Sequence, residues 1–274
     1  MVITILFILL VFALLVYMSW RGPIPKIIWT YWHDKDHMPE TVKKCIESWR
    51  RHCPDYDIRI LGDSDTTHYR HSKDFIQRHA DFVRLDLLRK HGGIWMDASV
   101  FLNRPIDWIH EDPSADFVGY EFKRNSRNNS FPFIENWFMA APRGSRFIDD
   151  WHRDFFRYND YDDVEEYMNA EMSDVDIRGI PNYKYHLPYV ACQRCIQKRG
   201  PYKFNLRLAD TDAFKHLEDV GWNYESAASN FCKGLYQDTT NLVKLTNPER
   251  TFIESGHTCD ALKISASTKN VQER

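Results

Sequence analysis

Between positions 81 and 99 the chain reads Asp-Phe-Val-Arg-Leu-Asp-Leu-Leu-Arg-Lys-His-Gly-Gly-Ile-Trp-Met-Asp-Ala-Ser, and three of its charged residues stand where charge is costly. Asp81 and Arg84 have the i, i+3 spacing that a helix brings to one face. Phe82, Val83, Leu85, Leu87 and Leu88 occupy nearly all of the remaining circumference, the pattern of a buried helix. Buried charges need partners. The two pair with each other, or Asp81 caps the helix N-terminus, or both sit at the cleft end of the helix and hydrogen-bond a polar ligand such as a sugar. Gly92-Gly93 then permits close backbone approach. Ile94-Trp95-Met96 reads as a short apolar strand with Asp97 at its carboxyl end, and open α/β sheets bind their ligands outside the carboxyl ends of strands.

The elements that must position these residues follow from pattern and breakers. Ile24 to Trp32 is β-branched and aromatic, a buried first strand. Pro39-Glu40 opens a helix, and Val42, Cys45, Ile46 and Trp49 give it one apolar face before Pro54 ends it. Tyr56 to Leu61 alternates as a second strand and Gly62-Asp63 breaks it. Strand, helix and strand in that order begin an α/β domain with a parallel sheet. A helix is expected from about Asp81 to His91, stopped by Gly92. Val100 to Leu102 continues in extended form, and further strands are expected at Asp116–Tyr120 and Trp137–Ala140. Ser145 to Tyr158 reads as an amphipathic helix, Tyr158 to Asp176 as an acidic, less regular insert, and the polar stretch 266–274 as a flexible tail.

The spacing D-x-x-R-x-x-x-L-x-x-x-G-G-x-[YW]-x-D-x-[DS], met here by Asp81, Arg84, Leu88, Gly92, Gly93, Trp95, Asp97 and Ser99, resembles the DXD sugar-transferase region of the capsular-polysaccharide-synthesis and mannosyltransferase-like glycosyltransferases. Ile24-Pro25-Lys26-Ile27-Ile28 with Trp32, and Asn136-Trp137-Phe138-Met139-Ala140-Ala141-Pro142, are similar to two further blocks of that family. The resemblance covers most of Ile24 to Trp151. It implies a GT-A domain over residues 23–265, a nucleotide-sugar donor (UDP favoured over GDP), a glycan or polysaccharide acceptor, and Mn²⁺ or Mg²⁺. By the same resemblance Trp32 lines the nucleotide base, while Asp81, Arg84 and Trp95 bind the donor. Asp97 anchors the metal that bridges the phosphates, and Asn136 touches the sugar or the reacting centre. A nucleoside diphosphate leaves with growing negative charge, which a hard cation on oxygen ligands neutralises. Ser99 departs from the second Asp of many relatives, and its hydroxyl is a weaker, uncharged ligand. His257 is the C-terminal candidate to complete the metal set. The family implies retention of anomeric configuration, with Glu121 and Glu135 the carboxylates that an inverting route would call on. The alternative is a non-catalytic nucleotide-sugar- or glycan-binding protein on a transferase scaffold.

Composition bounds the rest. The net charge is −3 with no basic run, which argues against a nucleic-acid partner. Val2 to Trp20 holds no charged residue. As a helix it spans ~28 Å, about one bilayer core, and Tyr17, Trp20 and Arg21 fall where an interface would lie. The run is long for a signal peptide and lacks a basic start and a small-x-small cleavage site. A single-pass anchor over residues 1–22 is therefore expected, with the side of the membrane left open. Of the six cysteines, Cys45 and Cys53 share a helix and cannot pair. Cys192 and Cys195 have metal-ligand spacing, with Cys232 and Cys259 as distant candidates to complete a zinc set. A disulfide and unpaired thiols are the other readings.

Overall fold

The computed structural model describes residues 22–71, 74–126 and 130–264. The expected membrane anchor and the tail from 266 lie outside the described residues, and no helix among those described is long and apolar enough to cross a membrane.

The strands are β1 (Ile27–Tyr31), β2 (Asp57–Leu61), β3 (Gly93–Met96), β4 (Val100–Leu102), β5 (Phe117–Glu121), β6 (Ile134–Ala141), β7 (Phe204–Leu208) and β8 (Leu242–Lys244). Six of them form one sheet in the order β2-β1-β3-β6-β5-β7, and β4 pairs with β8 in a separate ribbon. β1 runs parallel to β2 and β3, as the strand–helix–strand pattern requires, whereas β6 is antiparallel to both β3 and β5. The sheet is therefore mixed rather than parallel throughout.

The helices are α1 (Glu40–His52), α2 (Ile76–His91), α3 (Arg146–Phe156), α4 (Val164–Glu171), α5 (Leu187–Arg199), α6 (Lys215–Glu218), α7 (Tyr224–Cys232) and α8 (Asn247–Glu254). They cover both faces of the sheet, so its central strands are buried on both sides. Strand alternation sends Ile28, Ile94, Met96 and Phe138 to the α1 side, where they meet Val42, Ile46 and Trp49. Trp29, Trp95 and Met139 go to the other side, against Phe82, Leu85 and Leu88 of α2 and Phe147, Trp151 and Phe155 of α3. Each such fully buried side chain contributes about 1.5–3 kcal/mol.

Two local expectations change. α2 begins at Ile76, five residues before Asp81, with Phe75 at its N-cap and no side-chain cap. Asp81 therefore lies inside the helix and does not cap it. Buried Arg78 extends the helix backwards, its guanidinium donating to the Lys184 carbonyl. The stretch 158–176 is not irregular, because it contains α4, whose buried Tyr167 donates its hydroxyl to the Asp154 carbonyl at 2.6 Å.

The turn from α2 into β3 is tight. Gly92 and Gly93 have φ of +66° and +97°. A Cβ on Gly92 would lie 2.6 Å from the Arg143 nitrogen, and one on Gly93 2.8 Å from the Ile27 carbonyl oxygen. Only glycines let the helix end and the strand dock at this distance.

Cys232 and Cys259 form a disulfide that ties the end of α7 to the 3₁₀ turn Asp260–Leu262. This removes them from the zinc reading. Cys192 and Cys195 are buried along α5 with thiols pushed well above the ordinary value by burial, and the Cys195 thiol donates to Asp154 at 3.4 Å. They are structural thiols. Cys45 and Cys53 are unpaired, as expected.

Candidate active site

Residues from the ends of β1, β3, β6 and β8 and from α2, α5 and α8 line an open cleft of about 810 Å³. Trp32, Asp81, Arg84, Trp95, Asp97, Ser99 and Asn136 all line it, so seven of the residues singled out in the sequence converge. His257 does not line it. Its ring stacks on Phe252 at 3.8 Å, its Nδ1–H donates to the Phe252 carbonyl oxygen at 2.7 Å, and the same nitrogen lies 3.1 Å from the Ser255 hydroxyl.

Asp97 leaves β3 with its backbone N–H donating to the Trp137 carbonyl at 2.8 Å, which fixes where its side chain points. Oδ1 accepts from Trp95 Nε1 at 2.9 Å and lies 3.4 Å from Arg84 Nη2. Oδ2 accepts from Lys244 Nζ at 2.7 Å, and the same ammonium donates to Ser99 Oγ at 2.8 Å. Burial alone would raise the Asp97 carboxyl, but Lys244 and Arg84 outweigh it and hold the group below its ordinary value. Burial pulls the Lys244 ammonium down against the attraction of Asp97.

Arg84 links three elements. Its Nη2 lies 3.3 Å from Asp81 Oδ1, its Nη1 donates to the Asn136 carbonyl at 2.7 Å, and its guanidinium sits 5.1 Å from the centre of the Trp95 ring. Burial pushes Asp81 up to about 6, opposed by Arg84 and Arg78. Two carboxylates thus face two cations in a nearly closed network, and removing one member leaves an uncompensated charge at a cost of about 3–5 kcal/mol.

Asn136 adds a side-chain bond, Nδ2 donating to Asp81 Oδ1 at 3.1 Å. The Tyr189 hydroxyl, from α5, lies 2.8 Å from both Asn136 Oδ1 and Glu135 Oε2. Glu135 and Asn136 are neighbours on a strand, yet both line the cleft. The β5–β6 register explains this, since Gly119 faces Met139 while Glu121 faces Ile134. Such an irregularity re-aims side chains next to a site. Burial pushes the Glu135 carboxyl up to about 7. Glu121 is not at the cleft; it pairs with Lys123 at 3.0 Å.

Trp32 stands just past β1, with the Arg250 guanidinium of α8 5.4 Å from its ring centre. Arg250, Tyr189 and Lys244 were not singled out in the sequence. For Lys244 a signal exists, since Leu242-Val243-Lys244-Leu245 sets one charge in an apolar run, the feature that marks Arg84.

The side chains of the cleft do not by themselves form a divalent-cation site. Mg²⁺ and Mn²⁺ take oxygen ligands, of which a protein commonly supplies one or two carboxylates and substrate phosphates and water the rest. Of the three nominated ligands, His257 lies outside the cleft, and Asp97 and Ser99 each accept a hydrogen bond from a buried ammonium. Among the described residues no group of three or more His, Cys, Asp or Glu is placed to hold a metal.

The family model described as capsular polysaccharide synthesis protein matches residues 21–246. O-glycosyltransferase braB of Annulohypoxylon truncatum is 34% identical over 161 residues, 48% of this chain and 37% of that protein. Glycosyltransferase afumC of Aspergillus fumigatus is 30% identical over 155 residues, 47% of this chain and 39% of that protein. The match thus spans well under half the length of these relatives. A solved glycosyltransferase involved in glycosylation of the major capsid of PBCV-1 superposes with a TM-score of 0.44 at 11% identity, over 84% of this chain and 96% of that one. With its β1–α1–β2 opening, its α2–β3 glycine turn and Asp97 all inside the matched span, the chain belongs to the capsular polysaccharide synthesis protein family.

Proposed function

We propose that the chain is a glycosyltransferase of the GT-A type, transferring a sugar from a nucleotide-sugar donor to a glycan or polysaccharide acceptor with retention at the anomeric carbon. The observation that carries this reading is the convergence of Asp81 and Arg84 from α2, Asp97 from β3 and Asn136 from β6 in one cleft. Relatives named as glycosyltransferases support it. A cleft of about 810 Å³ has room for a nucleotide sugar. Trp32 offers an aromatic face to the base, with UDP favoured over GDP. Asp81, Arg84 and Asn136 offer the hydroxyl-binding groups for the donor sugar. Retention has the acceptor attack on the face that the phosphate leaves, a route that needs no strong protein base.

The test is turnover of a nucleotide-sugar panel by the full chain, with Asp97→Ala beside it. We expect the variant to lose at least about 10³-fold in kcat/KM, since its carboxylate orients the charged groups of the site. Full turnover by Asp97→Ala would mean that the site is wrongly assigned.

We read residues 1–22 as a single-pass anchor. The Cys232–Cys259 disulfide favours a body on the oxidising side of the membrane, since disulfides persist there. Alkylation of protein taken directly from cells tests this: free thiols at Cys232 and Cys259 would overturn it.

A further inference from the structure

We propose that Lys244 stands in for the divalent cation of this glycosyltransferase, its ammonium meeting the charge of the departing nucleoside diphosphate. The inference rests on the reading of the cleft as a nucleotide-sugar site. Its starting point is donor counting. An ammonium carries three hydrogens. Asp97 Oδ2 and Ser99 Oγ take two of them, at 2.7 and 2.8 Å. The third is left for a ligand in the cleft that Lys244 lines.

The position is built rather than incidental. β8 delivers Lys244 through the β4–β8 ladder, in which Val100 faces Lys244, and the Leu245 N–H donates to the Ser99 carbonyl at 3.0 Å. The backbone that carries the ammonium is thereby tied to the backbone that carries Asp97 and Ser99. The side chain is only 13% exposed, so the charge is not solvated and dispersed. The other oxygen of Asp97 is held by Trp95 and Arg84. A divalent cation on Oδ2 would sit beside the Lys244 ammonium, like charge against like. Ser99 also makes sense here. A hydroxyl accepts from an ammonium without adding a second negative charge that would have to be balanced.

In the transfer, the acceptor hydroxyl oxygen bonds to the anomeric carbon. The bond from that carbon to the β-phosphate oxygen breaks with its electron pair going to the diphosphate, and the hydroxyl proton passes to the same leaving oxygen. Lys244 keeps its proton throughout and donates a hydrogen bond to the diphosphate, with Arg84 and Arg250 also in the cleft. Charge-assisted bonds of this kind are the strong ones.

The experiment is calorimetry on the full chain with UDP, GDP, ADP, CDP and dTDP as probes, first in EDTA and then with Mn²⁺ or Mg²⁺. At least one diphosphate should bind in EDTA, and added metal should change its Kd by less than about threefold. Lys244→Ala should weaken that binding at least about tenfold, and Lys244→Arg should retain most of it. Titration of Mn²⁺ into wild-type protein without nucleotide should show no site at Asp97. Binding that appears only with metal, or a Lys244→Ala affinity in EDTA within about threefold of wild type, overturns the inference. The metal arms use wild-type protein, so the outcome does not hang on whether a variant folds. If none of the five diphosphates binds with or without metal, the nucleotide-sugar reading itself falls.

Discussion

Glu135 places an ionisable group where its charge is disfavoured, and that gives a test of the cleft that needs no substrate. Burial raises its carboxyl from 4.5 to about 7, against the hydrogen bond from Tyr189 and the charge of Lys244. Below pH 4.5 the group is protonated in folded and unfolded chains alike. Between 4.5 and 7 the folded chain holds a proton that the unfolded chain has released, so stability falls as pH rises. Above 7 the penalty is constant. A separation of about 2.5 units corresponds to about 3 kcal/mol. Glu135→Gln resembles the protonated acid in shape and keeps an acceptor for Tyr189, so it should match wild type near pH 4.5 and exceed it by about 3 kcal/mol at pH 8. For a chain of this size that is a gain of about 6–12 °C in Tm. Thermal unfolding of both proteins at the two pH values reads the difference directly, and titrations common to both largely cancel. A difference in Tm that does not change between pH 4.5 and pH 8, or a variant less stable than wild type at pH 8, would refute the account of Glu135 as buried and proton-retaining.

Two further outcomes follow from the fold. Gly93→Ala would force a Cβ to 2.8 Å from the Ile27 carbonyl oxygen at a φ of +97°, so urea unfolding should show a loss of more than about 2 kcal/mol; wild-type stability would contradict the β1–β3 docking. The Cys232–Cys259 bridge spans 27 residues, a loop whose closure is worth about 3.5 kcal/mol. Wild-type Tm should therefore fall in dithiothreitol, while Cys232→Ser should start low and not respond. Equal indifference of both proteins to reductant would rule the bridge out.

The way these residues were and were not legible in the sequence has one physical cause. β1, α1 and β2 could be read because their apolar pattern and their breakers, Pro54 and Gly62, are local. The start of α2 could not, because nothing caps it locally: Phe75 offers no side-chain cap, and the burial of Arg78 is decided by the carbonyl of Lys184, over a hundred positions away. Asp81, Arg84 and Asp97 announced themselves as charges set in apolar runs. Such a pattern says that a residue needs a partner; it does not say which one.

Lys244 carried the same mark, and what it lacked was an address. Its contact with Asp97 spans 147 positions and depends on the β4–β8 ribbon, which pairs two three-residue strands too short to be matched from sequence. The family resemblance offers His257 for the C-terminal role. The chain does bring a C-terminal group to Asp97, but from β8, thirteen residues earlier, and as a fixed cation rather than a ligand for one. That exchange also accounts for the most irregular residue of the motif. With a metal, a Ser at position 99 weakens the site; with an ammonium donating to both Asp97 and Ser99, a second carboxylate there would leave the pair with a surplus negative charge facing the proposed diphosphate. Ser99 and Lys244 therefore belong to one solution, and a substitution at either should be read against the other: Ser99→Asp should impair diphosphate binding in EDTA and recover it when Mn²⁺ is supplied.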